Sequence, residues 1–240
     1  MHIFDTIRRE KDHPLLRKVS NTKGLGLDQD QIDLVKISQG KKGYFDFFEE
    51  RLEESHRAFG EITPEYSLLN HEFLKIIGES HNKLRIFVSL RRPVGRYLSA
   101  LTYYGRIRPE FNIEEHYLKG LNKKLFCHYT HYTLNLKNLL SVVPKEKVYF
   151  FFYEDLFNGK NDTLFELCNH LNISTITPEQ INLSMSKVIN NTTSRTDVRP
   201  PNNDEMKSIY TKFEAEYKNL SSLISKKLPE AWLRDMANYG

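Results

Sequence analysis

The sequence predicts an α/β fold, a mostly parallel central sheet flanked by helices, on three observations. Two short apolar runs, residues 84–90 (LRIFVSL) and 148–153 (VYFFFY), are rich in β-branched and aromatic residues and nearly free of alternation. That is the pattern of a strand covered on both faces. Helical periodicity lies between and around them, and strands that alternate with helices argue for parallel pairing. The chain has 240 residues, 39% hydrophobic and 12% aromatic, enough apolar material for a core and suited to one domain spanning residues 1–240.

Taken along the chain, residues 17–42 read as loop, with Gly24, Gly26 and Gly40 set among lysines. The TKGLGL piece there lacks the spacing and preceding strand of a phosphate loop, so it reads as a turn. Thr63-Pro64 forces extended backbone before a helical stretch. Residues 93–105 place Val94, Tyr97, Leu98, Leu101 and Tyr104 on one helix face, with Pro93 in the first turn and Gly105 at the end. Residues 130–143 and 161–171 read as amphipathic helices, and a long polar helix over about 204–227 follows Pro200-Pro201. Residues 182–203 are polar, carry Arg195 and Arg199 and have almost no periodicity. Such a stretch is a binding loop or a surface linker, and composition favours neither.

Several function classes fall away. Lys plus Arg exceed Asp plus Glu by 35 to 31, a net charge of +4 scattered along the chain. That is no nucleic-acid footprint, yet it is compatible with a local pocket for an anion. Cys127 and Cys168 read as two buried thiols. His128 and His131 stand beside Cys127 without a separated partner pair, so no metal site is expected. The apolar runs are too short for a transmembrane segment, and the amino-terminal MHIFDTIRREKD lacks the apolar core of a signal peptide. The expected location is the cytoplasm.

Chemistry concentrates at residues 84–104, where a strand ends in Arg91-Arg92-Pro93 and a helix starts at once. Ligands of open α/β sheets bind at the carboxyl ends of strands, and a helix start favours an anion. Arg91 adds a planar donor fork suited to phosphate. Ser99 lies about 9 Å further along the helix axis, where it would reach the same anion from the side. The plainer reading makes Arg91, Arg92 and Arg96 solvated charges at a helix start. A second candidate is Glu61 in GEITPEY, either a carboxylate that orients a substrate hydroxyl or lysine, or a paired acid near a strand end. Glu154 and Asp155, after the second apolar run, suit a helix cap.

In order along the chain, these segments resemble the sulfotransferases that use 3′-phosphoadenosine 5′-phosphosulfate (PAPS), and most closely the bacterial and carbohydrate-type branch. Residues 2–5 (HIFD) are similar to the family's His-Phe-Phe-Asp, and residues 43–48 (GYFDFF) to its Trp-Tyr-x-x-x-Phe. GEITPEY resembles Gly-Glu-x-Thr-Pro-x-Tyr, LRRPVGRYLSAL resembles Leu-Arg-Asp-Pro-x-x-Arg-x-x-Ser, and FYEDL matches Tyr-Glu-Asp-Leu. The resemblance implies a three-layer sulfotransferase or P-loop-like fold, with Arg91 and Ser99 on the nucleotide 3′-phosphate. Arg195, and less directly Arg199, would belong to a loop closing over the nucleotide. It also implies that His2 and Glu61 lie near the acceptor hydroxyl as catalytic residues, and that the acceptor is a small molecule or carbohydrate, with a carbohydrate or glycolipid favoured.

The departures are specific. The family's first strand, Lys-x-Gly-Thr-Thr phosphate loop and following helix precede its HIFD block, whereas this sequence starts at Met1-His2. The expectation is a shortened version of a longer protein, without that loop and without the Glu that would precede Met1. Ile62 stands where many relatives carry lysine, and Arg92 replaces the usual Asp. Two other readings stay open: a relative that binds nucleotide or glycan without turnover, and a phosphate-loop kinase or NTPase, against which the missing glycine-rich loop counts.

Overall fold

A computed structural model of the chain describes residues 28–156, 162–177, 179–180 and 198–240. It divides into two compact units, residues 1–83 with 141–143 and residues 84–140 with 144–240.

The first unit contradicts part of the loop expected over 17–42. Helix α1 spans Gln29–Ser38, started by the Asp28 side chain, which accepts the Gln31 N–H at 2.8 Å. Its short apolar period, with Val35 and Ile37 buried, was hidden among polar neighbours and glycines. Helix α2 (Tyr44–Glu49) starts at Gly43, whose N–H donates to the Asp46 carboxylate at 3.0 Å. A Cβ at Gly43 would fall 2.6 Å from that carboxylate, so the cap requires glycine. Ile37, Phe47 and Phe48 form the small core between these helices, flanked by Leu34 and Tyr44. Beside it Asp33, 1% exposed, accepts from Gln29 and Lys42 at 2.9 Å each and from Arg51 at 3.0 Å. The Lys42 hydrogen bond, against the opposing cost of burial, holds the Asp33 carboxyl at about 2. Helix α3 (His71–Glu79) is capped by Asn70 and packs Gly78 against Val143.

The second unit holds the sheet. Strands β1 (Ile86–Leu90) and β2 (Val148–Phe152) pair in parallel, from Ile86 opposite Val148 to Leu90 opposite Phe152. Among the described residues the sheet has these two strands. Four of the five β2 residues are buried, as the unbroken apolar run predicts. β1 differs, because Ser89 is exposed and only Leu90 is fully buried, so covering on both faces holds for one strand and not the other.

Helix α4 (Pro93–Ile107) follows β1 after two residues and buries Val94, Tyr97 and Leu101. Helices α5 (Tyr132–Leu140), α6 (Asp162–Leu171), α7 (Asn203–Ile224) and α8 (Glu230–Tyr239) complete the layers around the strands. The Asn202 side chain accepts the Glu205 N–H and the Glu205 carboxylate accepts the Asn202 N–H, a capping box that starts α7 behind the two prolines. Ser225, at φ 56°, ends it in the left-handed region, earlier than the pattern suggests. Although polar overall, α7 buries Ile209, Tyr210, Phe213, Tyr217 and Leu220 at helical spacing and packs against α4, α5 and α8. Burial of each such side chain stabilises by roughly 1.5–3 kcal/mol. Trp232 of α8, fully buried, meets Phe152 and Tyr217 edge to face at ring distances of 5.2 and 5.5 Å. The largest side chain of the core therefore seals the carboxyl end of β2.

Candidate functional site

The corner between β1 and α4 is held from four elements. The Tyr132 hydroxyl donates to the Arg91 carbonyl at 2.8 Å and accepts the Arg91 N–H at 3.4 Å, which pins that peptide on both sides. The Arg92 N–H donates to Glu154 Oε1 at 2.9 Å, and the Trp232 indole N–H donates to Glu154 Oε2 at 3.0 Å. Glu154 thus has a structural role, as its position suggested, but the helix it caps is α4 and not the short helical turn Tyr153–Leu156 that carries it. Arg92 Nη1 donates to Asp235 Oδ1 at 2.7 Å, and the Tyr217 hydroxyl donates to Asp235 Oδ2 at 2.6 Å. Tyr217 also accepts the Val94 N–H at 3.3 Å. The first backbone donors of α4 are therefore satisfied by side chains from elsewhere in the unit. Burial pushes the Tyr132 and Tyr217 phenols well above their ordinary range, with Asp235 adding to the shift at Tyr217, so both stay neutral donors.

This network separates the arginines. Arg92 is a structural residue, and its side chain folds over Gly95, where a Cβ would come within 2.9 Å of Arg92 Cγ. Asp235 supplies the carboxylate at this corner where position 92 carries arginine. Arg91 stands outside the network. Its guanidinium lies 4.9 Å from the Tyr153 ring centroid, and among the described residues it pairs with no carboxylate. Arg96 sits 5.1 Å from the Tyr129 ring in the same condition. Ser99 follows Arg96 by three residues on the same helix face, is half-buried, and has no hydrogen-bond partner among the described residues. Two guanidinium groups on aromatic faces and, among the described residues, an unpartnered hydroxyl are the side chains that could meet an oxyanion near this strand end. Sequence reasoning placed Arg91 and Ser99 here. It passed over Arg96 as a plain helix-start charge, although the i, i+3 spacing to Ser99 was available as a signal.

Glu61 lies in the first unit and not at a strand end. It precedes the 3-10 turn Pro64–Leu68, with Thr63 extended (φ −133°, ψ 97°) as its proline requires. Glu61 Oε1 accepts the Tyr66 hydroxyl at 2.5 Å and the Tyr44 hydroxyl at 3.2 Å, and Oε2 accepts Thr63 Oγ1 at 3.5 Å. Burial, reinforced by the Glu61 charge, pushes the Tyr44 phenol upward, so it too remains protonated. The conformation thus carries a carboxylate wrapped in neutral hydroxyls contributed by GEITPEY itself and by α2.

His2 and Arg195 lie outside the described residues, as do residues 182–197 of the polar stretch. Arg199 is described, and its donors are engaged. It meets Glu205 through Nη1 at 2.7 Å and Nη2 at 2.8 Å, meets Glu114 through Nε at 3.1 Å, and lies over the Tyr117 ring. Its place is the start of α7. Among the described residues there is no group of three or more His, Cys, Asp or Glu side chains that could hold a metal ion, and no helix is long and apolar enough to cross a membrane.

The fold is sulfotransferase-like. A crystal structure of a sulfotransferase from Alicyclobacillus acidocaldarius superposes with a TM-score of 0.55 at 20% identity, covering 88% of this chain and 78% of that one. No protein-family model matches the chain, and no curated protein does.

Proposed function

We propose that the chain is a sulfotransferase that moves a sulfuryl group from PAPS to a hydroxyl or amine acceptor, with a carbohydrate or glycolipid favoured, and that residues 1–240 act as one domain of this kind. The observation that carries this reading is Arg91, a guanidinium at the carboxyl end of β1 that pairs with no carboxylate among the described residues, while its neighbour Arg92 pairs with Asp235. The Ser99 hydroxyl two turns along α4 supports it, and so does the likeness of the fold to a sulfotransferase. In this reading Arg91 and Ser99 hold the nucleotide 3′-phosphate, Arg195 closes over it, and His2 and Glu61 serve the acceptor.

The transfer is in-line. The acceptor oxygen or nitrogen forms a bond to sulfur as the bond from sulfur to the bridging phosphate oxygen breaks, and adenosine 3′,5′-bisphosphate leaves. The acceptor proton passes to a general base, the role given to Glu61. Positioning and charge stabilisation carry such a reaction, as they do phosphoryl transfer. Calorimetric titration with adenosine 3′,5′-bisphosphate tests the reading. Micromolar or tighter binding that Arg91→Ala weakens supports it, and equal affinity for wild type and variant removes Arg91 from the site.

One observation favours the second reading, nucleotide binding without turnover. The Glu61 carboxylate already accepts the hydroxyls of Tyr44, Thr63 and Tyr66, so an acceptor hydroxyl would have to compete with them for its oxygens. Bisphosphate binding with no PAPS consumed in the presence of mixed oligosaccharide acceptors would decide for it.

A further inference from the structure

A cavity of about 270 Å³ opens on the second unit, away from the β1–α4 corner residues, and its lining includes Lys123, Lys124, Cys127, His128, His131 and Lys212. Among the described residues none of the three lysines forms an ion pair. Lys123 Nζ approaches only the ring nitrogen of His116, at 3.2 Å. The acid near this wall, Glu216, is buried and committed. Its Oε2 accepts the N–H and hydroxyl of Thr133 at 2.7 Å each, and its Oε1 stands 3.8 Å from His131. The cavity therefore gathers three lysines that no carboxylate pairs with among the described residues, in a chain whose net excess is only +4. A cluster of this kind opposes folding through self-repulsion and raises the local concentration of anions.

We infer that this cavity binds a single small oxyanion group, a sulfate, phosphate or carboxylate, carried by a ligand other than the nucleotide. Its size suits one charged substituent, since sites for drug-sized ligands run to roughly 300–1,000 Å³. The lysines are flexible point charges, without the planar fork that selects one phosphate geometry. Burial, against the opposing hydrogen bond to the Lys124 carbonyl, pushes the His128 imidazole below its ordinary range, and the charges of Lys124, Arg96 and His131 add to that shift.

The three lysines are exposed, so replacing them leaves the core untouched. The test titrates inorganic sulfate, inorganic phosphate and a sulfated, uronate-containing tetrasaccharide into wild type and Lys123→Ala/Lys124→Ala/Lys212→Ala, each with the strand-end surface first saturated with adenosine 3′,5′-bisphosphate. Thermal unfolding confirms that each is folded. The expected result is binding that persists under the bisphosphate and that the triple variant weakens about tenfold or more, the scale of three lost charge contacts. Tighter binding of the tetrasaccharide than of either free ion assigns the group to a glycan, and equal affinities assign the site to the free anion. A triple variant that binds all three probes like wild type overturns the inference. So does loss of all probe binding under the bisphosphate, which would place the anion at the strand end. The proposed nucleotide site stands or falls separately, on the bisphosphate titration.

Discussion

Each unit of the chain buries one aspartate in a charged network, and the two networks are closed in opposite ways. Asp33 finds Gln29, Lys42 and Arg51, all within 18 positions of itself. Asp235 finds Arg92, which is 143 positions away, and Tyr217. The first network staples neighbouring helices and can form as soon as those helices do. The second forms only when the last helix has docked on the first strand-to-helix corner. A local network stabilises a unit, whereas a long-range one also dictates the geometry of whatever that corner binds. In the second unit the network takes up Arg92, Glu154 and the Val94 amide of α4, and leaves the Arg91 guanidinium without a carboxylate among the described residues.

The largest effect is expected where the long-range network is cut. Asp235→Ala strands the Arg92 guanidinium and the Tyr217 hydroxyl, and should lower unfolding stability by about 3 kcal/mol in denaturant titrations. A loss under about 1 kcal/mol would show that the corner is held by packing alone. Next comes the arginine outside the network. Arg91→Ala should cost roughly 1.5–3 kcal/mol in affinity for adenosine 3′,5′-bisphosphate while leaving stability nearly unchanged. If stability falls as far as it does in Asp235→Ala, the contrast between the two arginines is wrong.

The local network should reveal itself through pH. The Asp33 carboxyl is held at about 2 in the fold, below the ~3.9 of an unfolded aspartate. Its contribution is complete above about pH 4 and disappears as the pH falls towards 2. On this scale the contribution amounts to about 2 kcal/mol. Asp33→Asn should flatten that acid limb in unfolding midpoints measured across pH, and a limb of unchanged slope would assign it to other carboxylates. The smallest expected effect is Ser99→Ala, about 1 kcal/mol in bisphosphate affinity with no change in stability. An unaltered dissociation constant would confine the anion to the arginines.

The difference between local and long-range closure also explains what could be read from the residues. Helix α4, strand β2 and the parallel pairing follow from periods of three to four residues, unbroken apolar runs and proline placement, all local signals. The placement of Arg91 and Ser99 about a strand-to-helix junction was legible because that junction lies within one continuous segment. That Arg92 is structural was not legible, since its partner Asp235 is separated by most of the chain. Helix α1 was missed for another reason. Its apolar residues are few, and its cap, Asp28, is as common in turns as at helix starts. Glu61 was recognised as a candidate, but its three hydroxyl partners depend on an extended turn and on α2, which a motif does not describe.

Trp232 is the one tryptophan of the 240 residues, and its surroundings make it a native optical reporter. Fully buried among Phe152, Tyr217 and Tyr132, it should emit at short wavelength in the fold and shift to the red on unfolding. Its indole N–H ends on the carboxylate that also takes the Arg92 amide, and its ring neighbours the tyrosine that grips the Arg91 backbone. A ligand drawn to Arg91 therefore works within two contacts of the chromophore, and its arrival can be timed by stopped-flow fluorescence without attaching a dye.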